Sequence, residues 1–281
     1  MNNSKKMLIL ISAIIALAIT AVGGIMLVLA VCGEYDMDVG HFAADAVYAP
    51  FAYGALGAGV VLALVLAILS GKSRIMHGKN AGAFLSFASV FAAILLMASV
   101  AFSFVDRSTV VEKGYNTFVY AAVVFGIGGA VALFMFALSG SYRTKLAKVL
   151  SFCLPLYFVM RTLILYFDKT VAINSSVKII TQLAFVAFAL FAIFDAGVYV
   201  GREKILPRYL FGCVCAQTVG GSVSIAALVS QFTVAGSFEL SVVDTCMLLA
   251  FFLLVCAKMH HIAFAVAEAK AAEEEKVEAD E

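Results

Sequence analysis

Long apolar runs, each followed by a short polar break, recur along the whole chain. Eight of them are long enough to matter, at 7–31, 46–69, 81–105, 117–138, 146–167, 179–200, 209–232 and 240–257. A helix rises about 1.5 Å per residue, so about 20 apolar residues cross the hydrocarbon core of a bilayer. Each run is therefore predicted to be a transmembrane helix, the eighth being the shortest. The first four carry no charged residue, whereas the fifth holds Arg161, the sixth Asp195 and the eighth Asp244. The fold class predicted is all-α: a polytopic bundle of about eight spans, with residues 1–262 as a single transmembrane domain and 263–281 as an acidic tail.

Composition agrees with this pattern. Of 281 residues, 64% are hydrophobic and 13% charged, whereas soluble domains carry roughly 25% charged residues. The breaks between runs leave no room for a separate soluble domain. Cys153, Cys213, Cys215, Cys246 and Cys256 lie within apolar runs, where a thiol behaves as a small hydrophobe. Cysteine therefore does not report the compartment.

Charge placement predicts orientation, because lysine and arginine accumulate on the cytoplasmic side. Of the 19 Lys and Arg, 14 fall on the N-terminal segment, the C-terminal segment and the even-numbered loops, and 4 on the odd-numbered loops; Arg161 is the last. Both termini are expected in the cytoplasm, and the membrane is expected to be the plasma membrane. Lys258 is counted among the flanking cytoplasmic residues, and Lys178 among those of the outer loops. Tyr35, Tyr115, Tyr142, Tyr166, Tyr199 and Tyr209 fall near predicted span ends, as an interfacial aromatic belt would. Lys5-Lys6 before a long apolar run also suits a secretion signal, with Leu29-Ala30-Val31-Cys32 as a faint lipoprotein box. The run exceeds a normal signal core, and an uncleaved first span is the reading adopted. Segments 70–74 and 139–143 are alike, as are 104–109 and 166–170. Shared capping needs at span ends explain this better than duplicated hairpins.

Ionisable residues inside lipid need partners. Arg161 lies about two turns below the outer end of the fifth span. Tyr157 and Asp168 share its helix face, while Gln182 and Asp244 lie at the same depth on the sixth and eighth spans. These residues form a candidate polar intramembrane site. A register-fixing ion pair from Arg161 to Asp168 or Asp244 explains them slightly better than a functional site. Asp195 sits near the inner end of the sixth span with Arg202 on its face, and is expected to be neutralised or snorkelling rather than a proton relay.

The seventh span is polar for a lipid-facing helix. Gln217, Gly220, Gly221 and Ser224 cluster near mid-membrane, and Gly212, Ala216, Gly220 and Ser224 form a small-xxx-small face. Close packing is the favoured reading; a solute path loosened at Gly220-Gly221 is the sharper alternative. The first outer loop holds Glu34, Asp36, Asp38 and Asp45 at EF-hand positions, but Val39 stands where that loop requires glycine, so no metal is assigned.

No HExxH, nucleotide-binding or Gly-x-Ser-x-Gly motif occurs, and no cofactor or nucleic-acid partner is expected. The expected partners are the lipid bilayer and either a small solute or a partner membrane protein. A transporter or permease-type bundle is the leading expectation. A non-catalytic accessory or assembly subunit is the alternative. A membrane enzyme using Asp195, Asp244, His260 or His261 ranks last.

Overall fold

The computed structural model describes residues 3–70, 82–105, 116–139, 144–168, 174–200, 206–233, 238 and 240–279, and within these ranges not the side chains of 3–6, 104–105, 116, 199–200 and 264–279. The predicted basic positions 72, 74, 79, 107, 113, 143, 169, 202 and 204 lie outside the described residues, as do Tyr115, Tyr142 and most of the repeated segments. The side chains of Lys5, Lys6, Tyr199, Lys270 and Lys276 do so as well.

The chain is an all-α bundle with, among the described residues, eight helical segments long and apolar enough to cross a membrane. Helices α1 (Asn3–Gly33), α2 (Tyr48–Ser70), α3 (Ala83–Val105) and α4 (Asn116–Ser139) each form one span. The fifth span is α5 (Lys145–Ser151) followed by α6 (Cys153–Phe167), and the sixth is α7 (Ser176–Val200). The seventh joins α8 (Leu206–Cys215), a π-helical turn (Ala216–Gly220) and α9 (Gly221–Thr233). The eighth is the first part of α10 (Val242–Ala279), whose backbone helix continues into the predicted tail as far as Ala279.

The fifth and seventh spans depart from the uninterrupted helices predicted, the seventh at its π turn. The fifth is broken at Phe152, because Pro155 has no N–H to donate and its ring collides with the carbonyl four residues back, that of Ser151. Proline is tolerated in the first turn of α6, where N–H groups lack helical partners anyway. The eighth span extends through Val242–Ala263, past the predicted end at 257. Lys258, read from sequence as a cytoplasmic flank, is therefore inside the bundle and 1% exposed. Lys178, read as an outer-loop residue, belongs to α7 and is likewise buried.

The seventh span is the hub, with 83% of its most apolar stretch buried against 28% for the second. It packs on α1, α2, α7 and α10, while α3 and α4 flank α10 and α6 from the other side. Small residues permit the close approaches: a Cβ on Gly59 would run into Thr218, and one on Gly126 into Val100.

One end of the bundle carries a two-stranded hairpin, β1 (Tyr35–Asp36) and β2 (His41–Phe42), paired antiparallel with Tyr35 opposite Phe42. Gly40 closes its turn at φ +77°, a conformation that favours glycine. The hairpin is tied to the start of α7 by Tyr35 Oη–Ser175 Oγ (3.0 Å), His41 Nδ1–Ser176 Oγ (3.1 Å) and Ser176 N–H to Gly40 O (3.0 Å). The starts of α7 and α10 and the ends of α3 and α6 share this hairpin end. The start of α1 and the later part of α10 lie at the opposite, terminal end.

Candidate functional site

Arg161 is 9% exposed and meets Asp244 across the bundle. One terminal guanidinium nitrogen donates to Asp244 Oδ2 at 2.8 Å, and the other to Ser103 Oγ at 3.0 Å. Ser99 donates to the second carboxylate oxygen of Asp244 and also bonds the Tyr157 hydroxyl at 3.0 Å. The geometry follows from helix periodicity: Tyr157 and Arg161 are four residues apart on α6, and Ser99 and Ser103 four apart on α3. Asp244 occupies the first turn of α10, where the helix dipole favours an anion, and its N–H is capped by Ser241 Oγ at 3.0 Å. The flat guanidinium also lies 5.7 Å from the centre of the Phe185 ring.

Of the residues named from sequence, Tyr157, Arg161 and Asp244 come together. Arg161 pairs with Asp244 rather than Asp168, which ends α6 and gives its backbone carbonyl to Lys178 Nζ. Gln182 is one turn before Phe185 on α7, and its Nε2 is buried with no hydrogen-bond partner among the described residues. Arg161 Nε is also buried without one. Ser99 and Ser103 were not named from sequence. Their spacing at the outer depth of the third span was the available signal, but serines at helical spacing are common.

A second ion pair lies at the terminal end. Lys258 Nζ is 3.0 Å from Asp195 Oδ1 and 3.1 Å from Oδ2. Tyr209 donates its hydroxyl to Asp195 Oδ1 at 3.1 Å, and the ammonium sits 3.6 Å over the Phe136 ring. Asp195 is thus paired within the bundle rather than snorkelling. Tyr209, assigned from sequence to the interfacial belt, is 2% exposed and belongs to this cluster. Arg202 lies outside the described residues.

Both pairs end on α10. Asp244 and Lys258 stand about 21 Å apart along it at 1.5 Å per residue, with the acid on α10 in one pair and the base in the other. Between them, Phe158 packs on Phe251 (ring centres 4.8 Å apart), Phe188 (5.6 Å) and Phe185 (6.2 Å). Two charged layers are therefore separated by a buried aromatic layer.

At mid-span the π turn faces α1. Thr20 Oγ1 lies 2.8 Å from Gln217 O and 2.7 Å from Ala16 O, Gln217 Nε2 donates to Ala13 O at 3.3 Å, and Ser222 donates to Thr20 O at 3.1 Å. Gly220 and Gly221 pack against Phe188 and Phe252, where a Cβ would collide. Ser224 bonds back to Gly220 O at 2.6 Å. At Gly220-Gly221, read from sequence as a packing face with a loosened solute path as the alternative, the helix leaves a π turn and is tightly packed.

Two acids of the first loop, Glu34 and Asp36, serve the backbone. Glu34 accepts from the N–H groups of Val47, Tyr48 and Ala49, and Asp36 Oδ1 from those of Asp38 and Val39. His260 stands edge-on to Phe84, with ring centres 6.1 Å apart.

Fold and buried charges together define the class: a polytopic helical membrane protein with ion pairs closed inside its bundle. No family model, curated protein or solved structure matches the chain.

Proposed function

We propose that the chain is a permease-type bundle that moves a small solute across the plasma membrane, with the terminal end in the cytoplasm. The observation that carries this reading is the pair of ion-paired layers at opposite ends of α10, separated by the Phe158–Phe188–Phe251 layer. A buried ion pair is a weak way to stabilise a bundle, because desolvation offsets most of the attraction. Its best-attested uses are register and switching. Two pairs would suffice as gates, one opening to each side while the other stays closed. The excess of Lys and Arg on the terminal-end segments supports the orientation.

The test needs no knowledge of the solute. In membranes, a membrane-impermeant maleimide is offered from each face to Ser99→Cys, and separately to the native Cys213, which neighbours Tyr209 and Asp195. The other native cysteines are replaced. Position 99 should react from the hairpin face only and Cys213 from the terminal face only. Asp244→Asn should speed labelling at position 99 and slow it at Cys213. Layers that stay unreactive from both faces in every variant would show fixed struts and remove the reading.

The accessory-subunit reading has one observation of its own. A groove of about 490 Å³ between α1 and α2 is lined by apolar residues, Ala18, Val22, Met26, Phe51, Gly54 and Ala58 among others. Unreactive layers together with a second protein recovered in constant proportion would favour it.

A further inference from the structure

The mid-span contact between α1 and the seventh span has more acceptors than donors. Thr20 has one hydroxyl hydrogen, yet its oxygen lies within 2.8 Å of two carbonyls, Ala16 O and Gln217 O. Only one of them can receive that hydrogen. The Gln217 amide turns its NH₂ toward Ala13 O at 3.3 Å, which leaves Oε1 as the remaining acceptor. That oxygen is buried and has no partner among the described residues, in a residue that is 1% exposed. Flipping the amide would set Oε1 against the Ala13 carbonyl, so the excess of acceptors stands in either orientation.

A buried acceptor left unpaired is costly, and at mid-membrane no bulk water relieves it. A positive charge can satisfy more than one oxygen of this contact at once. The π turn belongs to this arrangement: the Gly221 N–H reaches Ala216 O, five residues back, and single π turns occur often at functional sites. Carbonyls at irregular turns of spanning helices are suited to cations.

We propose that the π turn and the facing stretch of α1 bind a monovalent alkali cation, with the Gln217 amide oxygen, the Gln217 carbonyl and the Thr20 hydroxyl oxygen as its inner ligands. None of these groups is a carboxylate, and hard divalent ions are held chiefly by carboxylates. The set therefore suits a single charge. The site lies on the face of the seventh span that meets α1. It does not include either ion pair, and it stands or falls independently of the gating role proposed for them.

The test is thermal unfolding of the purified full-length protein in detergent, in sodium chloride, potassium chloride or choline chloride at equal ionic strength. Choline is too large for such a site, so it controls for ionic strength and chloride. Either alkali salt should raise the melting temperature by several degrees over choline, saturating with concentration as a single site does. Thr20→Val keeps the shape of the side chain and removes its oxygen, and Gln217→Leu removes the amide; both should lose the alkali-specific shift while still unfolding cooperatively. Identical melting of the wild type in all three salts would overturn the proposal, since a buried water has no such preference. A shift that persists in full in both variants would overturn it too, because the cation would then be bound elsewhere.

Discussion

Glu34 closes the start of α2 by accepting hydrogen bonds from three consecutive backbone N–H groups, those of Val47, Tyr48 and Ala49, at 2.7–3.1 Å. Desolvation alone would raise its pKa, but the bonds from Tyr48, Val47 and Ala49 outweigh that and hold it below the ordinary carboxylate value. A carboxyl lowered by folding contributes stability above its unfolded pKa and loses it as pH falls through the folded one. Amide hydrogen exchange at Tyr48 and Ala49 should therefore stay slow at neutral pH and accelerate, relative to α3, only below the usual carboxylate range. In Glu34→Gln the same amides should exchange faster at neutral pH. Unchanged protection in that variant would show that the cap contributes nothing. Individual residues were the least legible scale. Arg161 and Asp244 stood out because charge in an apolar run is costly. Lys258 did not, because a lysine at a predicted span end has the same sequence signature whether it snorkels outward or turns inward to Asp195.

Among the elements, the spans themselves were readable because apolar length is a direct physical requirement of the bilayer. Their interruptions were less so. Pro155 stood inside a continuous apolar run, and only its place relative to Ser151 makes it a break. The polar seventh span was noticed, but its central position depends on α1, α2, α7 and α10 enclosing it, which no single segment reveals. Close packing gives a sharp prediction. Gly59 and Gly54 lie on the same helix, but a Cβ at Gly59 meets Thr218 whereas one at Gly54 meets nothing within 4 Å. Gly59→Ala should lower the melting temperature in detergent, in keeping with overpacking costs of about 1–3 kcal/mol. Gly54→Ala should leave it unchanged or raise it slightly, because alanine favours helix over glycine by about 1 kcal/mol. Equal effects at the two positions would contradict the α2–seventh-span contact.

Across the whole molecule, the bundle is held by apolar packing and given its register by charges that cannot leave lipid unpaired. Removing one partner of such a pair strands the other, at a cost of about 3–5 kcal/mol. Restoring opposite charge in the reversed order should recover much of that loss, and only between true partners. The most direct test is a charge-reversal cycle on both pairs, read as the amount of folded protein in membranes and its melting temperature. Arg161→Asp and Asp195→Lys should each be severely destabilised. Arg161→Asp with Asp244→Arg should regain stability, as should Asp195→Lys with Lys258→Asp, whereas Arg161→Asp combined with Asp195→Lys should not. Failure of both matched swaps, or equal rescue by the mismatched one, would contradict the two-layer arrangement on α10.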